Sequence, residues 1–126
     1  MAAGRSTWSL ERMNEEAPWI VDRFAECAIA WGYCHTMNSP KRADLFVEDL
    51  ERLYTQLGRA TSNPTQLLEP LMRTHPNPWV QLCAAVCVAK SSPALALPIL
   101  EALSTQDGLW SLNSRLHLEQ VKRVTH

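Results

Sequence analysis

The sequence predicts an all-α fold, a short stack of about three antiparallel helical hairpins. Three observations predict it. Apolar residues recur at three- and four-residue spacing in six consecutive segments. Ser39-Pro40, Asn77-Pro78 and Ser92-Pro93 stand at segment starts, a small polar cap followed by a proline whose missing N–H is no loss in a first helical turn. No segment carries a good strand pattern. At 126 residues the chain fits one domain, long enough to bury a core without staples.

Residues 1–14 have no steady period and read as a tail, flexible or ordered by docking Trp8 and Leu10; residues 15–126 form the helical domain. Helix one is expected to start near Ala17-Pro18, with Ile20, Phe24, Cys27, Ala28 and Trp31 as its stripe. Gly32 loosens its end and "HTMNSP" breaks the chain. Helix two follows Ser39 and Pro40, buries Phe46, Leu50, Leu53, Tyr54 and Leu57, and meets a natural stop at Gly58. Helix three, after "RATSNP", carries Leu67, Leu68, Leu71 and Met72. Helix four follows "THPNP", capped by Asn77. Helix five follows "SSP" with Leu95, Leu97, Ile99, Leu100 and Leu103, and its interior Pro98 predicts a kink or an irregular first turn. After "TQDG", helix six offers Leu109, Leu112, Leu116, Val121 and Val124. Pairing successive helices gives three hairpins, each burying its face on the next.

Helix four stands apart. From Val80 to Val88 only Gln81 is polar, so this helix is expected at the centre. Ala84 and Ala85 let neighbours approach closely. The stretch "LLEPLMRTHPNPWVQLCAAVCVAKSSPALALPILEAL" resembles a HEAT-type helical repeat, and Pro78, Val80, Ala84 and Ala85 are the most specific part of the match. From Arg23 to Val124 the chain is similar to a family of small bacterial helical proteins of uncharacterised function that carry this repeat. The resemblance implies a scaffold for binding other macromolecules; fold alone licenses no chemistry. In the repeat the position before Val80 is usually polar and solvent-facing, yet here it is Trp79. That ring either folds back as the edge of the core or stands exposed as a partner anchor.

Composition narrows the function. A net charge of −1 and a pI near 6.4 supply no general basic field for nucleic acid. No apolar run reaches membrane-span length, and the first residues lack the apolar core of a signal peptide, so a cytoplasmic protein is expected. Cys27, Cys34, Cys83 and Cys87 then read as reduced thiols in apolar helices. Cys83 and Cys87 lie one turn apart, with His75 and His35 as conceivable neighbours, but structural zinc takes about four ligands, commonly from turns, and there is no Cys-x-x-Cys pair. Packing is the preferred reading, with no metal and no cofactor. Cys34-His35 reads as a loop cysteine beside a surface histidine, because adjacent helical residues do not face each other and no cysteine-hydrolase signature surrounds them. No catalytic residue is expected.

Asp44, Glu48 and Glu51 share one face of helix two, with Asp49 beside them. Acid–base catalysis would need a cleft and shifted pKa values as well. The alternatives are a solvated face or an acidic patch that meets a basic partner, blunted by Arg52 at i+4 from Glu48. Arg115, Lys122, Arg123 and His126 make the last helix basic, which its dipole favours. Together these readings predict a non-enzymatic protein-binding module, a bacterial immunity protein (antitoxin) that occludes the active site of a cognate toxin. Asp44, Glu48, Glu51 and Trp79 are its expected partner-binding residues. The acidic stripe suits steering toward a basic toxin such as a nuclease, and five tryptophans are available as anchors. The alternatives are a generic adaptor or assembly protein using the same surface, a nucleic-acid-binding repeat using Arg115, Lys122 and Arg123, and, behind these, an enzyme, which a deep cleft with converging polar groups would mark. No membrane partner and no small-molecule substrate are expected.

Overall fold

The computed structural model describes the backbone of residues 2–125 and the side chains of residues 16–124. Among the described residues there are six α-helices and no strand: α1 (Ala2–Thr36), α2 (Pro40–Ala60), α3 (Pro64–Thr74), α4 (Pro78–Ala89), α5 (Pro93–Ser104) and α6 (Trp110–Thr125). No helix among them is long and apolar enough to cross a membrane.

Short connections force successive helices into antiparallel pairs. The closest packing is α1 on α2, α3 on α4 and α5 on α6. The chain-order punctuation explains the boundaries. Pro40, Pro64, Pro78 and Pro93 each open a helix. Asn63 and Asn77 add true side-chain caps, their Oδ1 atoms accepting from the N–H of Gln66 at 3.3 Å and of Trp79 at 2.9 Å. Ser39 and Ser92 occupy the same position without a side-chain hydrogen bond. α1 runs through Gly32 to Thr36 and is closed off within the "HTMNSP" segment. Asn38 takes φ +54°, the Ser39 N–H donates to the Cys34 carbonyl and the Asn38 N–H to the His35 carbonyl. This is the Schellman pattern, in which asparagine tolerates the left-handed position.

Three boundary or packing expectations are corrected: the start of helix one, the stop at Gly58 and the inward face of α6. Helical backbone extends from Ala2 through residues 2–14 and past Pro18. Pro18 is exposed, so water can serve the carbonyl that a prolyl nitrogen cannot. The expected docking of Trp8 and Leu10 lies outside the described side chains. Gly58 does not stop α2: the helix runs on to Ala60, and the Thr61 N–H closes the last turn on the Leu57 carbonyl at 3.0 Å. α5 is helical from Pro93 to Ser104 with Pro98 inside it, exposed so that its turn is open to water.

α6 turns a different face inward from the leucine stripe. Leu109, Leu112, Leu116 and Val124 are exposed, while Ser111 and Ser114 are buried beside the partly buried Trp110, Leu118 and Val121. Two small hydroxyls allow a close approach, and neither is left unsatisfied. Ser111 Oγ donates to the Gly108 carbonyl and Ser114 Oγ to the Trp110 carbonyl, both at 2.7 Å. Arg115, read as part of a basic surface, donates from Nε to the Ser104 carbonyl at the end of α5.

α4 lies at the centre. It packs on its hairpin partner α3 and also on α5, α1 and α6. Val80, Ala84, Ala85 and Val88 are wholly enclosed, and Trp79, Leu82, Cys83 and Cys87 are buried. The α1 contact depends on Gly32, because a Cβ there would fall on the Trp79 ring. Gly32→Ala, which should gain about 1 kcal/mol in an exposed helix, is expected instead to lose about 1–3 kcal/mol through overpacking. Urea unfolding checks the sign; an unchanged or raised midpoint would contradict the close approach.

Candidate functional site

Between α4, α1, α2 and α6 lies a cavity of about 200 Å³. Leu82, Cys83, Val86 and Cys87 of α4 form its floor, and Phe24 and Trp31 of α1, Val47, Leu50 and Glu51 of α2, Lys90 just past α4 and His117 of α6 line the rest. The helices place these groups for ordinary reasons of amphipathicity. α2 points Leu50 and Leu57 inward, so Glu51 falls at the edge of the groove.

The floor is uncharged. Burial pushes the Cys87 thiol up to about 12 and the Cys83 thiol well above its ordinary value. Nearby Cys27 is pushed up to about 11, mainly by burial and also by the negative charge of Asp49, and its Sγ donates to the Phe46 carbonyl at 3.5 Å. These are packed thiols, not activated nucleophiles. All four cysteines are free. Among the described residues no cluster of three or more His, Cys, Asp or Glu side chains is placed to hold a metal ion. Burial also lowers the pKa of His117, partly offset by a hydrogen bond with Gln120.

Asp44, Glu48 and Glu51 are exposed on one face of α2, and Glu51 reaches the groove. None of the three is in an ion pair. Arg52 pairs with Asp49 instead of Glu48, its Nη1 lying 2.9 Å from Asp49 Oδ1. Lys90, which also lines the groove, lies over the Tyr54 ring, 5.0 Å from its centroid.

Trp79 does not join this surface. It is 7 % exposed and sits in an aromatic cluster that ties α1, α4 and α6 together. Trp31 meets it edge-on at 5.2 Å, Trp110 edge-on at 6.2 Å, and the His35 ring stacks on it at 5.2 Å with 7° between planes. Of the two alternatives for this ring, the structure places it in the core. The expected loop cysteine and surface histidine are corrected by the same cluster. Cys34 is buried in the last turn of α1, and His35 is half-buried, with Nε2 enclosed and without a hydrogen-bond partner. Burial lowers the His35 pKa, so its ring stacks in the neutral form.

Among the described residues the exposed tryptophan is Trp19, at 59 %, with the Arg23 guanidinium 5.7 Å from its ring centroid. Sequence reasoning missed it. The available signal was its spacing from Arg23 and Glu26, which puts it on the polar side of α1. The groove was missed too, because Val47, Val86, Lys90 and His117 converge only through tertiary packing. Comparison with models of known protein families, with known proteins and with solved structures finds no match.

Two predictions follow from this geometry. Trp79→Ala should lower stability by about 3–5 kcal/mol, as loss of a buried aromatic ring does; a melting temperature unchanged from the parent would take the ring out of the core. The second concerns pH. The folded state holds the Cys27 and Cys87 protons after the unfolded chain, titrating near 9.0, has lost them. Their contribution is intact below pH 9 and lost as pH rises toward about 11 and 12. His35 and His117 have folded pKa values below 6.5, so their contribution is intact above that value and lost as pH falls through it. Melting temperature should therefore fall on both sides of this window, with a shallower alkaline limb in Cys87→Ala. An alkaline limb of unchanged slope would contradict the assignment.

Proposed function

We propose that the protein is a non-enzymatic protein-binding module, acting as an immunity protein that covers the active site of a basic toxin. The observation that carries this reading is the unpaired acidic face Asp44, Glu48 and Glu51, which runs to the edge of an apolar groove. Three unpaired carboxylates on one helix face steer a basic partner during encounter. Apolar contact beside it then slows dissociation. The bacterial, HEAT-like assignment comes from the resemblance around Pro78, Val80, Ala84 and Ala85, and the order of paired helices is compatible with it.

Other features favour binding over the alternatives. The groove thiols are held protonated, and the half-buried His35 ring is stacked on Trp79, so neither offers a nucleophile–base pair. Arg115 is occupied by the end of α5, which weakens the basic patch a nucleic-acid binder would use. A generic adaptor would use the same face, and the identity of the partner separates the two.

The test is co-expression with the product of the adjacent gene in the native host. Growth rescue together with a stable complex is expected, and toxicity without any complex would contradict the proposal. In that complex Glu48→Lys with Glu51→Lys should slow association by about tenfold or more at low salt. The difference should shrink as salt shortens the screening length to about 3 Å near 1 M. Equal association rates for parent and variant would remove the acidic face from the interface.

A further inference from the structure

We infer that the outward leucine face of α6 is the interface of a two-fold homodimer, in which α6 of one copy lies antiparallel against α6 of a second copy. The inference goes beyond the toxin-binding reading and uses none of the residues of the acidic face.

Spacing sets the face. Leu109, Leu112 and Leu116 fall at i, i+3 and i+7, and Arg123 follows one heptad after Leu116. At about 100° per residue the four positions lie within about 60° of one another, on the side of α6 opposite Ser111, Ser114 and Leu118. The leucines are 49 %, 59 % and 60 % exposed in chain order. Such spacing is that of the seam along which two helices pair. α6 also belongs to the last hairpin of the chain's three. A stack of hairpins ends in water only when its terminal unit turns a polar face outward. Here the terminal helix buries serines and turns leucines outward, the reverse of a cap.

Charge selects the occupant and its direction. Exposed Asp107 stands just before α6, exposed Glu119 lies beside the seam, and Lys122 and Arg123 occupy the last turn. Among the described residues neither Asp107 nor Arg123 is in an ion pair. A parallel pair would set Glu119 on Glu119 and Arg123 on Arg123 of the second copy, and like charges so opposed are unfavourable. An antiparallel pair centred between Leu112 and Leu116 layers each of these leucines on the other. It also carries the basic end of α6 to within a turn of Asp107 of the second copy, twice over. Arg115 borders the centre of the seam, but its Nε is turned back onto the Ser104 carbonyl. Glu119 meets the rim beside Leu109 of the second copy, where water reaches it. A face that pairs with itself closes at two copies and leaves no open end. An anionic lipid surface is the weaker fit, because Asp107 and Glu119 border the same leucines.

Sedimentation equilibrium of the full chain tests the pairing. The parent should dimerise with a Kd on the order of 10 μM, and its melting temperature should rise with protein concentration. Leu112→Glu with Leu116→Glu changes exposed positions, so the helical circular dichroism should persist while association weakens about a hundredfold or more. Asp107→Arg and Arg123→Glu should each weaken the dimer by about fivefold or more, and the two combined should restore it. Within one chain these residues lie about 24 Å apart along the helix, so recovery requires that they meet across the interface. A parent that stays monomeric to about 1 mM, a dimer that survives the leucine exchange, or charge exchanges that do not recover when combined would overturn the inference. A monomer that instead binds vesicles of phosphatidylcholine and phosphatidylserine through these leucines would also overturn it and assign the face to a lipid surface.

Discussion

The constraint behind the whole structure is that α4 has almost no polar side. A helix that is apolar around nearly its full circumference cannot lie on a surface, and each neighbour it gains must come close enough to exclude water. The side chains that allow this are small. Ala84 and Ala85 are wholly enclosed, Gly32 of α1 lies against the Trp79 ring, and Ser111 and Ser114 bring α6 in with hydroxyls that bond to their own preceding turn. The same demand accounts for the inward face of α6, since larger leucine side chains would hold the helix away.

The aromatic cluster and the groove are two consequences of that enclosure. Where α1, α4 and α6 meet, the space is filled by Trp31, His35, Trp79 and Trp110 in edge-on and stacked contacts. Each aromatic pair adds about 0.5–1.5 kcal/mol beyond its area. His35 shows the cost of such filling: its Nε2 is enclosed without a partner, and the ring stays neutral. Where α2 and α6 flank α4 without closing over it, an apolar floor remains open. Trp31 belongs to both regions, touching Trp79 on one side and lining the groove on the other. The proposed binding face is thus built directly on the enclosed central helix, which favours a preformed site with little ordering cost on binding.

Much of the fold was legible because its signals are local. Pro40, Pro78 and Pro93 mark helix starts by removing an N–H and fixing φ, which is chemistry within one turn. The all-round apolar character of α4 is likewise a local count with a global meaning. Legibility failed where two faces competed or where a residue's effect depended on what lay opposite. Leu109, Leu112 and Leu116 have good helical spacing, but spacing does not say which neighbour a helix can approach. Gly58 is a terminator only if the chain adopts a left-handed cap there, and it does not. Of the site, Asp44, Glu48 and Glu51 were legible as one exposed face. Trp79 was ambiguous until Gly32 was seen against it, and the groove itself unites residues from four helices.

The central claim is that α4 is the enclosed element from which the groove and its flanking walls take their form. Native-state hydrogen exchange tests it most directly, because amides in the best-enclosed element open only with global unfolding. The account predicts that the amides from Cys83 to Val88 exchange slowest, with an opening free energy equal to that of global unfolding and the same denaturant dependence. Exchange of those amides through a low-energy local opening, faster than the α1 amides around Phe24 and Ala28, would contradict it.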